Sequence, residues 1–207
     1  DVLFIDEAGQ FSLANALAVA PAAGSLVLLG DPRQLQQPQQ GIHPPGAEVS
    51  ALEHLLRGEA TLPPDRGLFL DRTWRLHPDI CAFTSELYYE NRLRSQDGLE
   101  RQLLGLPNPY GASGLRWLDT PHAGNDSESP EEVQAVRQVV RALTSGGLTW
   151  TDRHGERHPV TLSDVLVVAP YNAQVEALKA ALPPNARVGT VDKFQGQEAP
   201  VLVYSLT

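Results

Sequence analysis

The chain opens on a short apolar segment that ends in two carboxylates. Residues 2–5 (VLFI) carry β-branched, aromatic and aliphatic side chains, a composition typical of a buried parallel strand. Asp6 and Glu7 follow at once, and two small residues come after them. Open α/β sheets bind ligands beyond the carboxyl ends of their strands, so the sequence predicts an α/β fold with a ligand site at this end. The alternative for an Asp-Glu pair alone is a polar turn that merely ends the strand.

A second strand with a polar end follows a predicted helix. Ser12 caps this helix, which runs towards Pro21, and residues 26–29 (LVLL) form the next apolar strand. That strand ends on residues 30–35 (GDPRQL). A strand, a helix and a strand at this spacing form a right-handed βαβ unit, which brings both strand ends to one sheet edge. We therefore expect four side chains to converge there: Asp6, Glu7, Asp31 and Gln34.

Segments rich in glycine and proline indicate where the chain is divided into domains. Residues 36–47 are rich in glutamine, proline and glycine and are predicted to form a loop. Residues 57–67 contain a Pro-Pro pair and are the best candidate for a domain boundary. We therefore predict one domain over residues 1–66 and another over residues 67–207.

The second domain alternates further strands and helices. Its best-marked helix begins at Ser129, because residues 129–132 (SPEE) form a capping box with proline at the first helical position. Another helix follows residues 170–172 (PYN). A hairpin is predicted over residues 150–160, and strands are predicted at residues 68–70, 115–118, 165–169, 187–191 and 201–204.

Composition narrows the class of protein. The net charge of −9 argues against a generally basic surface for nucleic acid, although it is compatible with a local basic groove. No apolar run approaches the roughly 20 residues of a membrane span, so no membrane partner is expected. The single cysteine, Cys81, rules out an internal disulfide and favours the cytoplasm. The chain begins on a core strand without methionine, which we interpret as the sign of a piece of a longer protein.

Four segments resemble the motifs of superfamily 1 helicases, in the same order. Residues 4–10 (FIDEAGQ) resemble motif II, and residues 29–35 (LGDPRQL) resemble motif III. Residues 74–78 (WRLHP) resemble motif IV, and residues 188–198 (VGTVDKFQGQE) resemble motif V. Their order and spacing are similar to those of the up-frameshift-like branch, superfamily 1B. The sequences DEAGQ and KFQGQE within motifs II and V are most similar to those of bacterial proteins that fuse a RecB-like nuclease to a helicase.

This resemblance implies two RecA-like domains of the P-loop NTPase type, with parallel sheets, both incomplete in this chain. Residues 1–66 would be the last part of the first domain, and residues 67–207 most of the second. ATP and Mg²⁺ are the implied cofactors, and single-stranded nucleic acid, DNA in preference to RNA, is the implied partner. The resemblance also implies 5′→3′ movement and a nuclease domain upstream. The chain lacks a P-loop and the arginine-rich motif VI, so by itself it is expected to be inactive.

The resemblance assigns three residues to catalysis. Glu7 would activate the attacking water, and Gln34 would sense the γ-phosphate. Arg75 would reach the phosphates from the second domain as an arginine finger, the alternative being a surface salt bridge. Asp6 would contact Mg²⁺, and Asp31 is assigned to the same cofactor site.

Three residues of the second domain are assigned to the nucleotide. Trp74 stands where the family commonly has the tyrosine next to the adenine, and its indole could stack there or pack in the core. Gly196 would allow the backbone to approach a phosphate, the alternative being a simple turn. Glu198 could accept hydrogen bonds from the ribose hydroxyls.

Two segments match family contacts to a single-stranded backbone. Hydroxyl, amide and backbone N–H groups bind phosphate without reading the sequence of bases. The residues concerned are Pro170, Tyr171, Asn172, Thr190, Asp192 and Lys193. A packing role is the alternative for Tyr171. Arg153, His154 and Arg157 on the hairpin could add positive charge or form a solvated loop tip.

Two other functions stay open at this point. One is a nucleotide-gated nucleic-acid-binding or scaffold ATPase that does not unwind a duplex. The other is an inactive structural relic, against which the complete set of predicted site residues argues.

Overall fold

The computed structural model describes residues 1–34, 44 and 46–207, which form two compact units. The first unit comprises Asp1–Asp71 and Thr84–Leu93, and the second comprises Arg72–Phe83 and Arg94–Thr207. Both units contain helices and parallel strand pairs, so the predicted α/β class is confirmed. The division into RecA-like domains at residue 66 stays a prediction. The predicted loop over residues 36–47 lies largely outside the described residues.

The first unit is built on one parallel strand pair. Its elements are β1 (Val2–Ile5), α1 (Leu13–Val19), β2 (Ser25–Leu28) and α2 (Ala51–Leu56). Val2 lies opposite Ser25 and Ile5 lies opposite Leu28, so both strands end at the same edge. The Ser12 side chain caps α1 by accepting the N–H of Asn15. The predicted βαβ unit is therefore confirmed.

The two faces of β1 differ in burial. Ile5 is buried against Leu52 and Leu56 of α2. Val2 and Phe4, on the opposite face, are 53% and 65% exposed. The uniformly apolar sequence of β1 predicts burial on both faces, whereas the described residues cover only one.

The turns after β1 and β2 pack backbone against backbone. The N–H of Ala8 donates to the carbonyl of Leu29 at 2.8 Å. A Cβ placed on Gly9 would lie 2.2 Å from the carbonyl oxygen of Asp31. Gly30 is equally constrained, because its φ is +153° and a Cβ there would lie 2.8 Å from the nitrogen of Ala8. The absence of side chains at these two glycines is what allows the turns to touch.

The second unit contains three small sheets and the larger core. Its strands are β3 (Arg72–Thr73), β4 (Arg94–Ser95), β5 (Leu103–Leu104), β6 (Thr149–Thr151), β7 (Arg157–Pro159), β8 (Val165–Val168), β9 (Arg187–Gly189) and β10 (Val201–Tyr204). The helices introduced here are α3 (Pro78–Tyr88), whose last residues belong to the first unit, α4 (Pro130–Thr144), α5 (Asn172–Ala181) and α6 (Val191–Phe194). The central sheet is parallel, in the order β10–β8–β9.

Helices α4 and α5 cover this sheet. The buried stripe of α4 includes Val133, Val136, Val140 and Leu143, as its periodicity predicts, and it packs with β8 and α5 in one core cluster. Strands β6 and β7 form the predicted hairpin. None of the described helices is long and apolar enough to cross a membrane.

Two predicted strands are wrong. Residues 68–70 and 115–118 belong to no strand and to no helix. In the first segment, Leu68 and Leu70 are 87% and 80% exposed, whereas Phe69 packs against Tyr89. Side-chain alternation alone therefore produced the strand-like pattern, without a neighbouring strand to pair with.

The start of α4 departs from the predicted capping box in one respect. The Ser129 hydroxyl accepts the N–H of Glu132, as predicted. The N–H of Ser129, however, donates to the side-chain oxygen of Gln174 at 2.8 Å. Gln174 is fully buried, and its amide also donates to the Ser205 hydroxyl at 2.8 Å. Glu132 instead binds Ser205 and the N–H of Thr207, so a buried polar junction joins α4, α5 and the end of β10.

Gly9→Ala is expected to lower the free energy of unfolding by about 1–3 kcal/mol, the usual cost of overpacking. The added methyl group would overlap the Asp31 carbonyl and force the two turns apart. Urea denaturation followed by circular dichroism measures the effect. Gly24→Ala is the matched control, because its nearest neighbour would be the Asp1 carbonyl at 3.9 Å. Equal stability of the two variants would contradict this packing.

Gln174→Ala is expected to cost about 1–3 kcal/mol for each buried group left without a partner, here the Ser129 N–H above all. The control is Gln138→Ala, on the exposed side of α4. Thermal unfolding of both variants measures the difference. A melting temperature of Gln174→Ala that matches the control would show that the junction contributes nothing.

Candidate nucleotide and nucleic-acid sites

Asp6 and Glu7 form an exposed turn directly after β1. The Oδ1 atom of Asp6 accepts the N–H of Glu7 at 2.9 Å. Glu7 has a φ of +52°, a left-handed conformation that costs a non-glycine residue roughly 1–2 kcal/mol. Both side chains are exposed. The turn therefore presents two carboxylates to solvent at the end of the strand, on a strained backbone of the kind that clusters at functional sites.

Asp31 organises the neighbouring turn. Its Oδ1 atom accepts the N–H of Arg33 at 2.9 Å, and its carbonyl accepts the N–H of Gln34 at 3.4 Å. Its Oδ2 atom accepts the hydroxyl of Tyr89 at 2.6 Å. Gln34 is exposed, and the last residue of the motif, Leu35, lies outside the described residues.

The first unit thus brings together the predicted residues of motifs II and III. Parallel pairing places both turns at one edge, and Gly9 packs on the carbonyl of Asp31. Hard carboxylate oxygens such as those of Asp6 are the ligands that Mg²⁺ takes, usually one or two together with water and phosphate oxygens. The donor set at this edge therefore fits a magnesium nucleotide.

The second unit brings together the predicted residues of motifs IV and V. The Nε atom of Arg75 lies 2.8 Å from Oε2 of Glu198, although the two residues are 123 positions apart. Both side chains are more than half exposed. The Thr73 hydroxyl accepts the N–H groups of Arg75 and Leu76, which fixes the backbone that carries the guanidinium. Arg75 therefore makes a surface salt bridge, and its partner is itself a predicted nucleotide ligand.

Trp74 and Gly196 lie in the open. The indole of Trp74 is 65% exposed, so it does not pack in the core of its unit. Gly196 has a φ of +76°, and nothing lies within 4 Å of a Cβ placed on it. The glycine is required here by its left-handed turn rather than by crowding.

The predicted nucleic-acid residues follow the carboxyl ends of β8 and β9. Val168 pairs with Gly189 at these ends, so the two segments share one edge of the central sheet. Residues 170–172 lead into α5, with Tyr171 at its N-cap and 47% exposed. Thr190 is the N-cap of α6. Asp192 and Lys193 are exposed on that helix.

Lys193 is partly engaged by its own unit. Its ammonium donates to the carbonyl of Val188 at 3.0 Å and lies 5.4 Å from the ring centre of Phe194. An ammonium has three donors, so one hydrogen bond leaves capacity for a phosphate. Gly189 makes room for this lysine, because a Cβ there would lie 2.5 Å from Cδ of Lys193.

The motif V segment runs from the carboxyl end of β9 towards the amino end of β10 in the central sheet. It leaves β9 at the carboxyl edge, where Thr190 lies, and ends at Glu198, shortly before the amino end of the parallel strand β10. Arg187, the first residue of β9, donates to the side chain of Gln197, next to Glu198, at 2.8 Å. The predicted nucleic-acid residues therefore follow the carboxyl ends of β8 and β9, whereas Glu198, the partner of Arg75, comes before the amino end of β10.

A further group of possible metal ligands lies on the hairpin. Ligand atoms of Asp152, Glu156 and His158 are within 4.8 Å of one another. The Asp152 carboxylate already accepts the N–H groups of His154 and Glu156. Partial burial opposes ionisation, but the hydrogen bonds from Glu156, His158 and His154 outweigh it and hold the pKa of Asp152 below its ordinary value. The cluster is explained as the ordering of an exposed loop.

Sequence reasoning missed Tyr89 and Gln174. Tyr89 follows another tyrosine at the end of a helix, and Gln174 lies in the first turn of α5. Neither position stands out by spacing or charge. Their partners, Asp31 and Ser129, are 58 and 45 residues away along the chain.

The comparisons with known proteins agree with the motifs. The family profile described as AAA domain matches residues 47–207. DNA polymerase alpha-associated DNA helicase A of Schizosaccharomyces pombe is 27% identical over 228 residues, which cover 100% of this chain and 32% of that protein. The DNA-binding protein SMUBP-2 of Mus musculus is 29% identical over 217 residues, 96% of this chain and 20% of that protein.

A third relative is the 3'-5' exoribonuclease HELZ2 of Mus musculus, 27% identical over 223 residues, 95% of this chain and 7% of that protein. The chain spans a third or less of the length of each of these relatives. The relatives support the predicted kinship with superfamily 1 helicases, whereas the branch and the nuclease fusion stay predictions. Because the profile matches most of its length, the chain belongs to the AAA domain family.

Proposed function

We propose that this chain is part of an ATP-dependent nucleic-acid helicase or translocase. The observation that carries the proposal is the parallel pairing of β1 and β2, which packs the Asp6–Glu7 turn against the Asp31–Gln34 turn. Phosphoryl transfer depends mainly on positioning and charge neutralisation, and these turns supply side chains for both. The names of two relatives contain the word helicase or DNA-binding, which supports nucleic acid as the track.

Each residue of the first unit has a distinct role in this proposal. Asp6 would hold Mg²⁺, which when bound neutralises charge on the phosphates. Glu7 would accept a proton from the attacking water, a role that its exposure and ordinary carboxylate chemistry permit. Gln34 would sense the γ-phosphate, because Asp31 holds its turn next to the turn of Asp6 and Glu7.

Arg75 and Glu198 would exchange their mutual ion pair for contacts to the nucleotide. A pair as exposed as this one contributes only about 0–1 kcal/mol, so little stability is lost when it opens. Arg75 could then neutralise charge on the transferred phosphoryl group, and Glu198 could accept ribose hydroxyls. Trp74, exposed beside Arg75, offers a surface for an adenine ring.

The placement of motif V supports coupling between nucleotide and track. Thr190, Asp192 and Lys193 lie at one edge of the central sheet, and Glu198 ends the same segment towards the other edge. A change at Glu198 could therefore shift groups that hold a single-stranded backbone. We further propose 5′→3′ movement, DNA in preference to RNA and a fused nuclease, each from the resemblance alone. A cytoplasmic location is proposed from the single cysteine.

The first test is strand displacement by the complete protein that carries this chain. With ATP and Mg²⁺ it should displace a strand from a duplex with a 5′ single-stranded tail, and not from one with a 3′ tail. Glu7→Gln should keep ATP binding and lower kcat by about 10²–10⁴-fold, the usual contribution of a general base. The Glu7→Gln variant should also fail to displace the strand.

One control variant separates the loss of the base from a loss of stability. Glu7→Gly also removes the base, but glycine accepts the φ of +52°, so this variant should be inactive and at least as stable as the wild type. Hydrolysis without displacement of either duplex would favour the scaffold ATPase instead. Wild-type turnover in Glu7→Gln would remove Glu7 from the mechanism.

A further inference from the structure

Tyr89 joins the end of helix α3 to the turn that carries Gln34. Its hydroxyl donates to Oδ2 of Asp31 at 2.6 Å, across 58 positions of sequence. The other carboxylate oxygen of Asp31 accepts the N–H of Arg33, and the Asp31 carbonyl accepts the N–H of Gln34. Asp31 is therefore held from one side by Tyr89 and on the other side holds the backbone of the turn.

The ring of Tyr89 is itself fixed by its neighbours. Phe69 packs against it with ring centres 6.0 Å apart, and the guanidinium of Arg92 lies 4.6 Å from the centre of the Phe69 ring. Arg92 also binds the buried hydroxyl of Thr61, which in turn binds Glu90. The contact with Phe69, which Arg92 holds in turn, restrains the ring of Tyr89, so Tyr89 can impose its position on Asp31 rather than follow it.

The chain reversal after α3 makes this clamp possible. Glu90 and Asn91 have φ values of +53° and +60°, so two consecutive residues are left-handed. The N–H of Asn91 returns to the carbonyl of Ser85, which closes the end of the helix. This reversal brings Arg92 back towards Phe69, beside Tyr89.

The hydroxyl of Tyr89 stays a donor at neutral pH. Burial and the hydrogen bond to Asp31 both raise the pKa of Tyr89 well above its ordinary value, and the nearby Arg33 opposes them only in part. A protonated phenol beside a carboxylate forms a charge-assisted hydrogen bond, which is stronger and more directional than a neutral one.

We propose that Tyr89 is a positioning residue for ATP hydrolysis, which sets the turn of Gln34 through the carboxylate of Asp31. This rests on the proposed function, in which Gln34 senses the γ-phosphate. Tyr89 would not touch the nucleotide. It would fix the turn so that Gln34 is presented beside Glu7 without reorganisation when ATP binds.

The test uses the complete protein with Tyr89→Phe, which removes only the hydroxyl. Tyr88→Phe is the matched control, because this half-exposed tyrosine is the last residue of α3, directly before Tyr89, and the two ring centres lie 6.5 Å apart. One readout is hydrogen–deuterium exchange, without nucleotide, of the peptide that contains the Arg33 and Gln34 amides. The other is the steady-state kinetics of ATP hydrolysis.

Tyr89→Phe is expected to speed exchange of these amides and to lower kcat about tenfold with KM within twofold, as a small misplacement does. Tyr88→Phe should change neither. Asp31→Ala combined with Tyr89→Phe should be no worse than Asp31→Ala alone, because Tyr89 acts through Asp31. Unchanged exchange in Tyr89→Phe, or faster exchange with wild-type kcat, would overturn the proposal.

The two proposals fail in different ways. If the wild-type protein hydrolyses no ATP, the proposed function fails, while the exchange measurement still decides whether Tyr89 holds the turn. If the wild type is active and Tyr89→Phe matches Tyr88→Phe in both readouts, the inference about Tyr89 fails and the proposed function stands.

Discussion

Direct contact between two backbone turns is the constraint on which the candidate catalytic edge depends. Glycines at positions 9 and 30 leave no side chain between the turn after β1 and the turn after β2. A single methyl group at either site would separate the Asp6–Glu7 pair from the Asp31–Gln34 turn. Parallel pairing brings strand ends to one edge, but only these glycines bring them into contact. The geometry of the site therefore depends on the absence of side chains at Gly9 and Gly30 as much as on the acidic residues.

The second unit uses its parallel sheet differently. The residues predicted to bind nucleic acid follow the carboxyl ends of its strands, and Glu198, predicted to bind the nucleotide, comes before the amino end of β10. Motif V is the continuous segment that contains residues of both groups. The polar junction around Gln174 fixes the first turn of α5, beside the predicted contact residues 170–172. The exposed groups that are predicted to bind nucleic acid thus lie on a support held by buried hydrogen bonds, which is what precise positioning requires.

Local patterns predicted the elements that lie close together in sequence. The apolar strands β1, β2 and β8, the N-cap at Ser129 and the stripe of α4 follow from periodicity and capping, which involve neighbouring residues. Contacts between distant side chains could not be predicted in this way. Gln174 replaces Glu132 as the partner of the Ser129 N–H, and Tyr89 holds Asp31, only because the tertiary fold brings these groups together. The wrong strand at residues 68–70 has the same origin, since pairing is not a local property.

The proposed role of Arg75, which is to neutralise charge on the transferred phosphoryl group, can be tested by the kinetics of ATP hydrolysis by Arg75→Ala in the complete protein. Finger arginines act in the transition state and are worth about 10³–10⁵ in rate. We expect a large fall in kcat with little change in KM. The melting temperature should change little, because the ion pair to Glu198 is exposed. An effect confined to KM, or a loss of thermal stability with normal kcat, would contradict it.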